Sequence, residues 1–199
     1  MEYFSGYRLI LASRSPRRQM LLKELGLVFD TIEKDFDESF PSNLKGKDIA
    51  LYLSEKKAES LASDIRNNKI LITADTIVWC DGELLGKPAG REEAVMMIGK
   101  LSSNTHQVIT GVTLLSEKQR ISFAETTSVT FDAMSEGEIE YYVDNFSPYD
   151  KAGAYGIQEW IGLASCSRIE GSYFNVVGLP VQRLYRELIE FIRTEKRII

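Results

Sequence analysis

The chain has 199 residues, 44% hydrophobic and 27% charged, with a formal net charge of −5. That length supports one sizeable core or two small lobes of ordinary globular composition. The acidic balance argues against a broad nucleic-acid face, and no apolar run approaches the ~20 residues that span a bilayer. Glu2 stands where a signal peptide would carry positive charge and no long apolar stretch follows Met1 to Gly6, so a cytoplasmic protein is expected.

In chain order, strand and helix signals alternate. Arg8 to Ala12 reads as a buried strand. Pro16 to Leu25 reads as a helix, with Ser15 as N-cap, Pro16 at the first helical position and Gly26 past the end. Val28 to Ile32 is a short strand. A polar stretch with Pro41 and Gly46 leads to a second helix, about Asp48 to Ile65, whose Ile49, Ala50 and Leu53 share a face with Lys57 and Leu61. Ile70 to Trp79 is strongly β, although Asp75 and Thr76 interrupt its apolar run. Asp81-Gly82 forms a hairpin turn into Glu83 to Leu85. Arg91 to Leu101 is helical, and Gln107 to Leu115 and Ile121 to Phe131 are longer strands. Ser135 to Glu138 is a capping box for a helix to about Val143. Asp150 to Asn175 reads as an irregular, Gly-rich region, and Pro180 opens a last helix to about Arg193. With no repeat and no long linker, residues 1–199 are expected to form a single domain. It is an α/β fold, a mixed twisted sheet with flanking helices, in two lobes around a central cleft.

The chemistry concentrates in a few places. Ser13-Arg14-Ser15-Pro16-Arg17-Arg18 puts two hydroxyls and three guanidiniums at a helix start. A capped helix with solvent-facing arginines explains Ser15 and Pro16. It leaves unexplained why cations crowd the positive end of the helix dipole, which a bound polyphosphate would account for. Asp75 reads either as an outward-facing residue on a half-exposed strand or as a functional carboxylate; its run is apolar on both parities, where an unpaired carboxylate is costly, which favours one that holds a metal or activates water. Asp35-Phe36-Asp37-Glu38 is an acidic loop that, with Asp75, offers oxygen ligands to Mg²⁺. Lys56 and Lys57 fit a solvated helix face, and Lys87 in Gly86-Lys87-Pro88 fits either a plain turn or a reach toward a ligand. Gln158 offers a donor and an acceptor to one edge of a nucleobase. Cys80 and Cys166 lack CxxC spacing and read as reduced core thiols. Any triad would rest on His106, the one histidine. Neither a Walker A nor a Gly-x-Gly-x-x-Gly pattern is present, so phosphate would be handled by side chains.

The ordered set resembles the Maf family of nucleoside triphosphate pyrophosphatases. It comprises Leu11 to Arg18, Lys57-Ala58, Ala74 to Val78, Gly86-Lys87-Pro88, Asp150 to Gln158 and Gly178-Leu179-Pro180. The Asp150 to Gln158 run resembles the branch acting on dTTP and UTP. The resemblance implies a Maf/ITPase-like fold and a hydrolase that cuts between the α and β phosphates, giving a nucleoside monophosphate and pyrophosphate. It implies a divalent cation, Mg²⁺, Mn²⁺ or Co²⁺, on Glu38 and Asp75, with Asp75 as general base. It assigns Ser13, Arg14, Ser15, Arg17, Arg18, Lys57, Lys87 and Gln158 to the substrate. House-cleaning of non-canonical nucleotides, a homodimer and a link to septum formation are further implications. Gln158, a neutral amide, suits the N3–H and O4 of uracil or thymine, whereas the 7-methylguanine branch carries an acid in this region. Two rivals remain at this stage: a non-catalytic nucleotide-binding regulator of cell division, and an RNA-binding module, which the acidic net charge disfavours.

Overall fold

Leu9-Ile10-Leu11-Ala12 is apolar at consecutive positions because its strand is covered on both faces. In the computed structural model this strand, β1 (Arg8–Ala12), pairs in parallel with β2 (Phe29–Ile32) on one side and β3 (Lys69–Cys80) on the other. Residues 4–197 are described. Met1 to Tyr3, the start of the segment read above for signal-peptide character, lie outside them, as do Ile198 and Ile199. Among the described residues, β4 (Glu83–Leu85), β5 (Thr105–Leu115), β6 (Arg120–Phe131) and β7 (Cys166–Glu170) complete a seven-stranded sheet. Its order is β2-β1-β3-β5-β6-β7, with β4 set antiparallel on β3 and β7 antiparallel on β6. The sheet is therefore mixed, and helices flank it.

The chain divides into two compact units. One comprises the chain through Asp75, Thr110–Glu125 and the chain from Gly178; the other comprises Thr76–Ile109 and Thr126–Val177. The first holds α1 (Pro16–Glu24), α2 (Lys47–Glu59) and α7 (Val181–Arg197). Its core gathers Ile10, Ala12, Ala58, Leu61, Ile65 and Leu71, with Phe36 packed against them. Helix α2 approaches β5 so closely that a Cβ on Gly111 would lie 2.1 Å from the Ala50 carbonyl oxygen. Two hydrogen bonds fix its rotation. Thr73 Oγ1 donates to the Ser54 carbonyl at 2.7 Å, and the Ser54 and Thr113 hydroxyls are 3.0 Å apart. The second unit holds α3 (Arg91–Leu101), α4 (Glu136–Phe146), α5 (Trp160–Ser165) and α6 (Tyr173–Val177).

The capping devices are as expected: Ser15 caps α1 and Ser135 forms a capping box with Glu138. Two expectations need correction. Helix α2 ends at Glu59, not near Ile65. The Ser60 hydroxyl bonds back to the Lys57 carbonyl at 2.9 Å, and Ala62–Asp64 continues only as a 3₁₀ turn. The region read as irregular contains α5, β7 and α6. Strand β7 buries none of its residues fully, so Cys166-Ser167-Arg168-Ile169-Glu170 shows no strong alternation to read. No helix among the described residues is long and apolar enough to cross a membrane.

Candidate active site

Ser13 follows β1, and its buried hydroxyl accepts the Ser15 N–H at 3.1 Å. The Ser15 hydroxyl in turn accepts the Arg18 N–H at 3.4 Å. Two N–H groups of the helix start are thus already occupied by serine hydroxyls. The arginines diverge. Arg14 is exposed and forks onto Asp35. Arg17 is half-buried. Arg18 turns back across the first unit, donating from Nε to the Gly178 carbonyl and from Nη1 to the Ala74 carbonyl, each at 2.9 Å. Desolvation lowers the pKa of its guanidinium, and the charge of Asp75 opposes that shift. Carbonyls and a carboxylate therefore offset much of the cation crowding that the sequence reading assigned to a bound anion alone.

Helix α2 buries Ile49, Ala50, Leu53, Ser54, Lys57 and Ala58, so Lys57 faces inward at 6% exposure. Its ammonium donates to the Asp75 carboxylate and, at 3.2 Å, to Glu38 Oε1. The Phe36 ring centroid lies 5.8 Å from the same ammonium. Asp75 is 7% exposed on β3, which is covered on both faces. The solvated-face reading fits Lys56 instead, whose ammonium bonds Asp37 at 2.7 Å and the Ser39 carbonyl at 2.8 Å. The acidic loop is accordingly not one cluster. Asp35 goes to Arg14, Asp37 to Lys56, and Glu38 joins Asp75 on Lys57. Hydrogen bonds from Lys56 and then Ser39 hold the Asp37 carboxyl well below the usual range.

Lys87 and Gln158 belong to the second unit, and both are exposed. The Gly153 N–H donates to the Gly86 carbonyl at 3.0 Å, tying the Gly86-Lys87-Pro88 turn to the loop that leads to Gln158. Gly153 has φ +67°, and a Cβ there would meet Val78 side-chain carbons at 2.9–3.1 Å, so this close approach needs glycine. His106 is buried against Phe131 and Tyr155, with Nε2 2.7 Å from the Tyr155 hydroxyl. It serves this core, and among the described residues no serine or cysteine nucleophile is paired with it. Cys80 and Cys166 are free thiols, the first buried and the second half-exposed.

The family model described as Maf-like protein matches residues 8–191. The chain belongs to the Maf family. It is 51% identical to a dTTP/UTP pyrophosphatase of Bacteroides fragilis and 52% identical to one of Bacteroides thetaiotaomicron, each over 92% of this chain and 95% of the relative. It is 46% identical to a dTTP/UTP pyrophosphatase of Parabacteroides distasonis, over 96% of this chain and all of that one. Among solved structures it is similar to the Ham1 protein of Staphylococcus aureus, with 16% identity and a TM-score of 0.43, over 62% of this chain and 71% of that chain.

For a Maf chain with these residues, the donor set fits a hard divalent cation only in part. Asp75 and Glu38 supply two carboxylates, and among the described residues no group of three or more His, Cys, Asp or Glu could hold a metal ion. That suits an ion of the Mg²⁺ type, which takes one or two carboxylates and completes its shell with phosphate and water oxygens. Sequence reasoning passed over Tyr142 and Glu159. Tyr142 lies on the buried face of α4 with Ile139 and Val143 and looks like core. Its hydroxyl was the available signal, because a buried phenol needs a hydrogen-bond partner.

Proposed function

We propose that this Maf-family chain hydrolyses dTTP and UTP between the α and β phosphates, releasing the nucleoside monophosphate and pyrophosphate. The observation carrying the reading is the buried Asp75–Lys57 pair with the more exposed Glu38 on the same ammonium, flanked by the fixed charge of Arg18, in a chain about half identical to dTTP/UTP pyrophosphatases over nearly its whole length. A divalent cation, when bound by Glu38 and Asp75, supplies Lewis acidity to the triphosphate oxygens. The Asp75 carboxylate takes the proton of the attacking water, and Lys57 holds that carboxylate in one orientation. Ser13, Arg14, Ser15, Arg17, Arg18 and Lys87 meet the phosphates, whose charge shifts toward the leaving pyrophosphate. An exposed ion pair such as Arg14–Asp35 is worth about 0–1 kcal/mol, so a triphosphate can replace Asp35 there at little cost. The Gln158 amide accepts the N3–H and donates to O4 of uracil or thymine. House-cleaning in the cytoplasm by a homodimer follows from the family resemblance and belongs to the same proposal.

A panel of nucleotides with Mg²⁺, Mn²⁺ and Co²⁺, scored separately for pyrophosphate and orthophosphate, tests this directly. Pyrophosphate is expected as first product from dTTP and UTP, with loss of turnover in a chelator. Orthophosphate as first product would refute α–β cleavage, and equal turnover of 7-methyl-GTP and UTP would refute the role given to Gln158. Inorganic pyrophosphate at a hundred times its Kd is expected to stabilise the fold by about 2.7 kcal/mol, a rise in Tm of roughly 5–10 °C. An unchanged Tm would argue against an anion site on the arginines. The gain is mass action, since Arg14 and Arg18 have protein partners without ligand.

A further inference from the structure

Gln158 sits on a tight turn. The Glu159 N–H donates to the Gly156 carbonyl at 2.9 Å, which closes residues 156–159 with Ile157 buried and Gln158 exposed at the tip. One side chain grips both ends of that turn. The Tyr142 hydroxyl accepts the Gly156 N–H at 2.9 Å and donates to Glu159 Oε2. The other carboxylate oxygen of Glu159 receives the ammonium of Lys151 at 3.1 Å, and that ammonium also bonds Asp150 at 2.9 Å. The grip is tight. Tyr142 is fully buried and stacked on Phe146 with centroids 5.1 Å apart, and a Cβ on Gly156 would meet the Glu159 carboxylate at 2.8–3.0 Å. Burial, and then the bond to Glu159, raise the Tyr142 pKa, so the phenol stays protonated and keeps its donor.

We propose that Tyr142 and Glu159 are specificity-positioning residues, which hold the Gln158 turn in the one placement that separates uracil and thymine from cytosine. This rests on the reading of Gln158 as the base-recognising group. An amide is nearly symmetric: turned over, it offers a donor to N3 and an acceptor to the N4 amine of cytosine. Selectivity therefore depends on how firmly the amide's position and edge are fixed, and a turn held at one end only would blur it. Tyr142 and Glu159 do not contact the nucleotide; they act through the turn.

Tyr142→Phe removes the hydroxyl that bonds both ends and keeps the ring. It is expected to lower the ratio of kcat/KM for UTP over CTP by about tenfold, the free energy of one buried hydrogen bond, with the loss falling mainly on KM for UTP. Glu159→Gln keeps an acceptor for Tyr142 but loses the charge pairing with Lys151, and is expected to fall between wild type and Tyr142→Phe. It also serves as the second test if Tyr142→Phe folds poorly. A residue that merely stabilised the fold would depress UTP and CTP turnover together and leave the ratio alone. Equal ratios in wild type and both variants overturn the proposal. A wild type that releases no pyrophosphate from any nucleotide overturns instead the function on which it rests.

Discussion

Replacing Asp75 with asparagine is expected to reduce pyrophosphate release from dTTP by about 10²- to 10⁴-fold, the range over which a positioned general base acts. Asparagine keeps the shape of the side chain but can neither take a proton nor hold a cation as a carboxylate does. The same change touches stability, because Asp75 and Lys57 form a buried ion pair with side chains about one-tenth exposed. Breaking such a pair destabilises by roughly 3–5 kcal/mol. Glu38 remains 3.2 Å from the Lys57 ammonium, so the low end, about 3 kcal/mol, is expected. That corresponds to a fall in Tm of roughly 6–12 °C. Lys57→Met in the Asp75→Asn background separates the two effects, since it removes the stranded charge: Tm should recover and activity should not. Undiminished dTTP cleavage by folded Asp75→Asn would take Asp75 out of the chemistry and leave the pair a structural one.

The reason Asp75 could be read from sequence and Tyr142 could not is physical. A carboxylate interrupting a run that is apolar on both parities is an energetic anomaly visible in one dimension. A tyrosine on an apolar helix face is not, because its phenol finds a partner only through tertiary structure. Lys57 was half legible. Its spacing from Ile49, Ala50 and Leu53 placed it on their face, yet a lysine there reads equally as solvated until Ser54, Thr73 and Thr113 are seen fixing the rotation of α2. The acidic loop was legible as charge but not as partition, since the sequence cannot show that Asp35 and Asp37 go to Arg14 and Lys56 and leave Glu38 for the site. Thr73 has a task that only the structure shows: its hydroxyl anchors α2 one turn before Lys57.

Acid should weaken this fold through His106. Burial pulls the imidazole down to about 4 from an unfolded value near 6.5, and the Nδ1 atom has no hydrogen-bond partner to receive a second proton's charge. Above pH 6.5 both folded and unfolded chains carry the ring neutral and it contributes no pH dependence. As pH falls from 6.5 toward 4, the unfolded chain takes up a proton that the folded chain refuses, and stability falls throughout that window. Between pH 7.5 and 4.5 the loss from this one group is about 2–3 kcal/mol. Denaturant melts at the two pH values, compared between wild type and His106→Phe, isolate it, because the carboxylates titrate alike in both. The variant is expected to be weaker at pH 7.5, by about 1–2 kcal/mol for the orphaned Tyr155 hydroxyl, and to lose less on acidification. Equal losses in the two proteins would show that His106 titrates normally. The consequence reaches the proposed function through Tyr155, three residues before Gln158: the ring that refuses the proton also bonds the phenol of the loop proposed to recognise the base. Protonation makes both ring nitrogens donors, so Tyr155 can then only accept from Nε2 and the Nδ1 hydrogen is buried without a partner; the second unit should therefore yield in acid at the segment on which nucleotide choice is proposed to depend.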